Sequence, residues 1–156
     1  MRRVMAAAAL AAGLWAAPAM ARDLPPGGMT ASEVADWLHQ AGYPGTVKPD
    51  PTTPGDQIIS STVDGVNFDI YMYDCVQNRC GSLQYAAGWP SAAGMTTDKL
   101  NGWNQGKRYI RCYSSGPQLW GEFDIDISPG GTYEALTHSL QRWRSAIGGF
   151  KTYWGL

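Results

Sequence analysis

The chain predicts an α+β domain, an antiparallel five-stranded sheet with helices packed on one face, in the order α-β-β-β-α-β-β-α. Three observations carry this expectation. Runs rich in β-branched and aromatic residues are grouped by short turns, without regular βαβ alternation. Helical spacing of apolar residues recurs near both ends of the chain. Within two of the strands, strict alternation separates an apolar face from a polar, aromatic one.

Taken in order, Thr30, Ala31, Ser32 and Glu33 form a capping box, with Met29 placed to staple onto Val34. Val34, Trp37, Leu38 and Ala41 follow at helical spacing, and Gly42 is a natural stop. The stretch YPGTVKPDPTTPGD (43–56) carries four prolines and reads as a loop. QIISSTV and VNFDIYMY are strands joined by Asp64-Gly65, a dipeptide suited to the positive φ angles of a tight hairpin. In the second strand Val66, Phe68, Ile70 and Met72 face one way, and Asn67, Asp69, Tyr71 and Tyr73 the other. SLQYAAGW is the third strand, so DCVQNRC (74–80) occupies the bend between them.

TTDKLNGWNQ (96–105) reads as a short helix capped by Thr96 or Thr97. KRYIRCY and QLWGEFDIDI are the fourth and fifth strands, split by SSGP. In the fifth, Leu119, Phe123, Ile125 and Ile127 mark the core face, while Trp120, Glu122, Asp124 and Asp126 point away. A last helix follows Gly130 and Gly131, with Tyr133, Leu136, Leu140, Trp143 and Ile147 on one side. Gly148 and Gly149 are expected to end it, leaving the aromatic tail FKTYWGL.

The N-terminal MRRVMAAAALAAGLWAAPAMA has two arginines, an Ala-rich uncharged run and the small-x-small triplet Ala19, Met20, Ala21. It reads as a secretory signal peptide over residues 1–21, cleaved after Ala21, which places the mature chain in the periplasm or outside the cell. The absence of a cysteine near that point excludes lipid attachment there. Residues 22–29 read as a flexible leader, 30–150 as the domain and 151–156 as a C-terminal tail. Of 12 basic residues two lie in the leader, so 10 face 13 acidic ones in the mature chain, a net charge of −3. A weakly acidic chain without a basic run offers nucleic acid no electrostatic footing. After cleavage no stable membrane insertion is expected.

The helix ending LHQAGY, the hairpin VDGVNFDIYMYDC, the stretch CVQNRC followed by SLQYAAGW, then KLNGWNQGKRY and FDIDISPGGTYEALTHSL together resemble the YbjN-domain family of bacterial proteins. The resemblance spans roughly Thr30 to Phe150. It implies a fold similar to type III secretion chaperones, a role in sensory transduction regulation, and no established catalytic activity. Such folds commonly dimerise and hold extended partners, which implies a protein or peptide partner, or a homodimer. The leader and the cysteine pair depart from the cytoplasmic members of that family.

Export places Cys75, Cys80 and Cys112 where disulfides persist. A Cys75–Cys80 bridge across the hairpin bend is expected to act as a staple. A thiol redox protein would want Cys-x-x-Cys at a helix start, and zinc a second close ligand pair. Only Cys112, His39 and His138 remain to supply one, on three separate elements. Cys112 shares parity with Ile110 and is expected to be a buried thiol, although a bridge from it to Cys75 or Cys80 would be possible if the bend folded back over the sheet.

Glu122, Asp124 and Asp126 alternate on one strand face about 7 Å apart. Asp124 and Asp126 are the candidates for a cation site or a carboxylate-centred hydrolase. The alternative is that these acids keep an open strand soluble beside Lys107, Arg108 and Arg111. There is no Gly-x-Ser-x-Gly elbow and no phosphate-binding glycine loop, so neither catalytic residues nor a cofactor is expected. The outward set Tyr71, Tyr73, Tyr109, Arg111, Tyr113 and Trp120 is the candidate binding surface, unless loop 43–56 or the tail covers it.

Overall fold

The computed structural model describes residues 21–90 and 94–156. The expected signal peptide thus lies, but for Ala21, outside the described residues. Three helices and a six-stranded antiparallel sheet form in the order α1 (Ala31–Gln40), β1 (Thr46–Pro49), β2 (Gln57–Val63), β3 (Val66–Val76), β4 (Arg79–Pro90), α2 (Thr97–Gly106), β5 (Arg111–Ser115), β6 (Gln118–Asp126) and α3 (Tyr133–Trp154). Across the sheet the strands run β1-β2-β3-β4-β6-β5. The chain after β4 crosses through α2 to the far edge, lays down β5 there, and returns as β6 to pair with β4.

The capping box forms as expected: Thr30 Oγ1 accepts from Glu33 N–H at 3.3 Å and Glu33 Oε2 from Thr30 N–H at 2.9 Å. Met29 and Val34 are both fully buried in one core cluster. Asp64 and Gly65 take φ of 48° and 77°, so the β2–β3 turn has the primed geometry that matches strand twist. The same geometry recurs at Gln77 and Asn78, with φ of 51° and 64°, in the β3–β4 bend. Arg144 of α3 grips Asp64 through Nε and Nη2 at 2.7 and 2.8 Å, tying the first hairpin to the last helix.

The sheet has six strands where the sequence suggested five. The sixth, β1, lies inside the stretch read as a loop and pairs with β2 from Thr46–Ser60 to Pro49–Gln57. Its prolines hid it, yet an edge strand tolerates proline because one side of its backbone faces no neighbour.

A second difference concerns α3, which runs through Gly148 and Gly149 to Trp154. Two helical glycines cost about 1 kcal/mol each relative to alanine. Phe150 and Trp154 offset that cost by extending the buried stripe of Trp143 and Ile147. Phe150 stacks 5.2 Å from Trp89 and 4.9 Å from Trp103, so the supposed tail is core.

All three helices sit on one face of the sheet. Phe68 of β3 and Tyr85 of β4 meet Trp143 of α3, Phe123 of β6 packs on Tyr85, and Tyr85 Oη pairs with Ser139 at 2.9 Å. Trp37 Nε1 of α1 donates to Thr137 of α3 at 3.3 Å. Among the described residues the opposite face carries no helix, and loop 43–56 adds β1 alongside β2 while the tail packs on the helical side.

Candidate binding face

Alternation along the strands sorts the open face into rows. One row runs Asp69, Ala86, Glu122, Arg111 across β3, β4, β6 and β5; the next runs Tyr71, Gln84, Asp124; and another Gly88, Trp120, Tyr113. The structure therefore brings Tyr71, Tyr73, Arg111, Tyr113 and Trp120 to a common surface.

Tyr109 does not join them. It precedes β5, at a φ of 75°, and its ring packs 5.8 Å from Phe123 on the helical side, between the guanidinium groups of Arg108 and Arg142. Strand parity cannot be carried through residues 107–110, because Lys107 caps α2 and the chain is not yet extended at Tyr109.

At the centre of the face lies a carboxylate clamp. Glu122 is only 6% exposed. Its Oε2 accepts from Arg111 Nη2 at 2.6 Å and its Oε1 from Tyr113 Oη at 2.6 Å. Glu122 is thus buried on the open face, not solvated as its outward parity suggested. Beside it Gln84, 7% exposed, donates to Asp124 at 2.7 Å and accepts from Tyr73 Oη at 3.4 Å. Ser60 donates to Asp69 at 2.5 Å. Gln84 was missed from the sequence, although its parity with Ser82 and Ala86 in β4 pointed outward.

This network shapes the tyrosines. Burial first, then the bond to Glu122 and its charge, push the Tyr113 hydroxyl up to about 12. Tyr71 and Tyr73 are raised by burial and then by surrounding acids, Asp69 and Asp50 for the first, Glu122 and Asp124 for the second. All three rings therefore present neutral phenols on an acidic surface at ordinary pH.

Trp120 lies flat across Gly88. A Cβ at Gly88 would come within 3.1 Å of the indole carbons Cη2 and Cζ3 and would push the ring outward by a few tenths of an ångström, so glycine lets the ring lie down here. Beyond it opens a shallow hollow of ≈540 Å³, floored by Ser60, Asn67, Ala86 and Gly88 and walled by Lys48 and Trp120. Among the described residues, no three His, Cys, Asp or Glu side chains are placed to hold a metal ion.

Residues 30–153 match the family model YbjN, described as "Putative bacterial sensory transduction regulator". The chain belongs to the YbjN family. That description is of a regulator, not of an enzyme. No curated protein and no solved structure matches the chain.

In this YbjN domain Cys75 and Cys80 are joined by a disulfide between facing positions of β3 and β4. Cys112 is free and buried, and burial raises its thiol to about 11, which makes it a poor nucleophile. Its sulfur leans on the Leu100 carbonyl at 3.7 Å. His39 and His138 are both exposed on their helices. No helix among the described residues is long and apolar enough to cross a membrane.

Proposed function

We propose that this YbjN domain is an exported regulatory module of the bacterial envelope that binds a protein or peptide partner across its open sheet face, in the manner of type III secretion chaperones. The observation that carries this reading is the uncovered surface of Tyr71, Tyr73, Tyr113 and Trp120 fixed around the Glu122–Arg111 clamp. Rigid aromatic rings on a satisfied polar floor give large contact area at small entropic cost. Asp69, Asp124 and Asp126 border the rings, so the favoured partner segment carries Lys or Arg, which the rings also attract through their faces. The leader at residues 1–21 and the disulfide support an oxidising compartment.

A photocrosslinking residue at Tyr73, with one at His138 on α3 as control, tests the proposal in the cell envelope. A defined adduct at Tyr73 that is absent at His138, and lost in a Tyr71→Ala, Trp120→Ala double variant that still melts cooperatively, is the expected result. Equal capture at both positions, or capture unchanged in the double variant, overturns it. An adduct of doubled chain mass would make the partner a second copy.

A further inference from the structure

Arg22 is the first residue after the expected cleavage site, and its main-chain nitrogen stands 2.9 Å from Glu134 Oε2 in the first turn of α3. Several contacts hold it there. Tyr133 N–H donates to the Arg22 carbonyl at 2.9 Å, and Leu24 N–H to the Gly131 carbonyl at 2.9 Å. The Arg22 guanidinium lies 3.8 Å from the centre of the Tyr133 ring. Asp23 bridges Thr132, the N-cap of α3. Leu24 is buried, and a Cβ at Gly131 would collide with the Ile127 carbonyl and approach Leu24 Cδ1 to 3.0 Å. The segment read as a flexible leader is thus strapped to the start of the last helix, beginning at the very residue that processing would expose.

We infer that removal of the leader after Ala21 creates a charged terminus that docks on Glu134, so that processing itself fastens the N-terminal strap to α3. This inference rests on the export reading above. The chemistry is hydrolysis of the Ala21–Arg22 peptide bond: water supplies the hydroxyl that completes the Ala21 carboxyl and the proton that completes the Arg22 amine, which takes up a further proton at neutral pH. In the precursor that nitrogen is a neutral amide with one N–H. After cleavage it is an ammonium with three donors and a full charge, already within hydrogen-bond distance of a carboxylate, and charge-assisted bonds of this kind are roughly twice as strong as neutral ones. A cation at a helix start would otherwise be disfavoured by the helix dipole. Glu134 turns the location into a favourable one.

The charged and titratable groups around the terminus are its own guanidinium, Asp23, Tyr133 and Glu134, with His138 one turn along α3. From α1 and the loop after it come Trp37, Gln40 and Tyr43. An α-amino group ordinarily titrates near pH 8, about the upper end of its usual range. A carboxylate partner raises that value in the folded state. The stabilisation is therefore fully present below about pH 8 and is lost as pH rises through the raised value.

The test uses protein purified from the envelope, its start fixed by intact mass. The expected mass is that of a chain beginning at Arg22. Thermal melts then compare this protein with Glu134→Gln and with the α-amino-acetylated form. At pH 7 both modified forms should melt about 1–4 °C lower, and the gap should close by about pH 10. An Arg22 start with equal melts at pH 7, or with a gap that persists unchanged at high pH, overturns the docking and leaves the export reading standing. A processed chain starting at another residue overturns the docking alone, and an unprocessed chain starting at Met1 overturns both.

Discussion

On the helical side of the sheet, Phe68 and Tyr85 meet each other and Trp143, and Phe123 packs on Tyr85, at centroid distances of 5.6 to 6.0 Å, and one hydrogen bond to Ser139 satisfies the only phenol among them. On the open side the centre is the buried pair Glu122 and Gln84 with the exposed Arg111 and Tyr113 over it, each joined by a hydrogen bond to a neighbour on the adjacent strand. The first face is built by excluding water from apolar surface, and it needs the helices as a lid. The second is built by pairing polar groups within the plane of the sheet, so it can stay uncovered without collapsing or recruiting a helix. Stability is therefore concentrated on one face, and the proposed recognition falls to the other.

The sharpest way to break this contrast is to compare the two tryptophans. Trp143→Ala should cost about 3–5 kcal/mol by chemical denaturation, because Trp143 is fully buried among rings. Trp120→Ala should cost only about 1 kcal/mol, since its outer surface is already wet, while weakening partner capture. Equal costs would mean that the open face is structural after all.

Next in size is the bend. Replacing Cys75 and Cys80 by Ser, or reducing them, should lower stability by about 2 kcal/mol, read as a shift in urea midpoint with and without reductant. Arg111→Ala follows at about 1–2 kcal/mol, because it leaves the buried Glu122 carboxylate with Tyr113 alone. The same change on a solvated carboxylate would be silent, so a null result would remove the clamp.

The smallest effect is visible only in alkali. Tyr113 is raised from 10.0 to about 12 in the fold. A group with a raised folded value contributes stability that is complete below about pH 10 and lost as pH climbs toward 12. Phenolate absorbance should show a late-titrating tyrosine, and Tyr113→Phe should delete that component and flatten the alkaline loss.

The two edges of the sheet differ as well. β1 is short and ends in Pro49, which discourages pairing with another chain. At β5 the Asn104 side chain from α2 accepts from Cys112 N–H at 2.9 Å and donates to its carbonyl at 3.0 Å, standing in for a neighbouring strand. Both edges are blunted, which favours the open face over an edge as the proposed partner surface.

Much of this was legible in local patterns. The capping box, the Asp64-Gly65 turn, the cysteines in a bend and the period-2 faces of β3 and β6 each depend on residues within a few positions of one another, and each emerged where the sequence placed it. Four of the six strands' boundaries were close for the same reason. β1 was not legible, because an edge strand of four residues flanked by prolines has no periodicity of its own and exists through its pairing with β2. The end of α3 was misjudged because two glycines are a strong local stop, overcome only by distant rings, Trp89 and Trp103, that give Phe150 somewhere to go. Of the candidate surface residues, Tyr109 was lost at a backbone φ that no alternation rule anticipates.

The amino-acid sequence by itself determined the family, the helix starts, the hairpin turns and which side of each regular strand is apolar, because these follow from short-range sterics and spacing. Only the tertiary structure decided that β6 lies between β4 and β5, that Glu122 is buried beneath Arg111 and Tyr113, and that Arg22 reaches Glu134. Those facts depend on contacts between residues far apart in the chain, where the energy of packing and pairing is set by partners that no local pattern names.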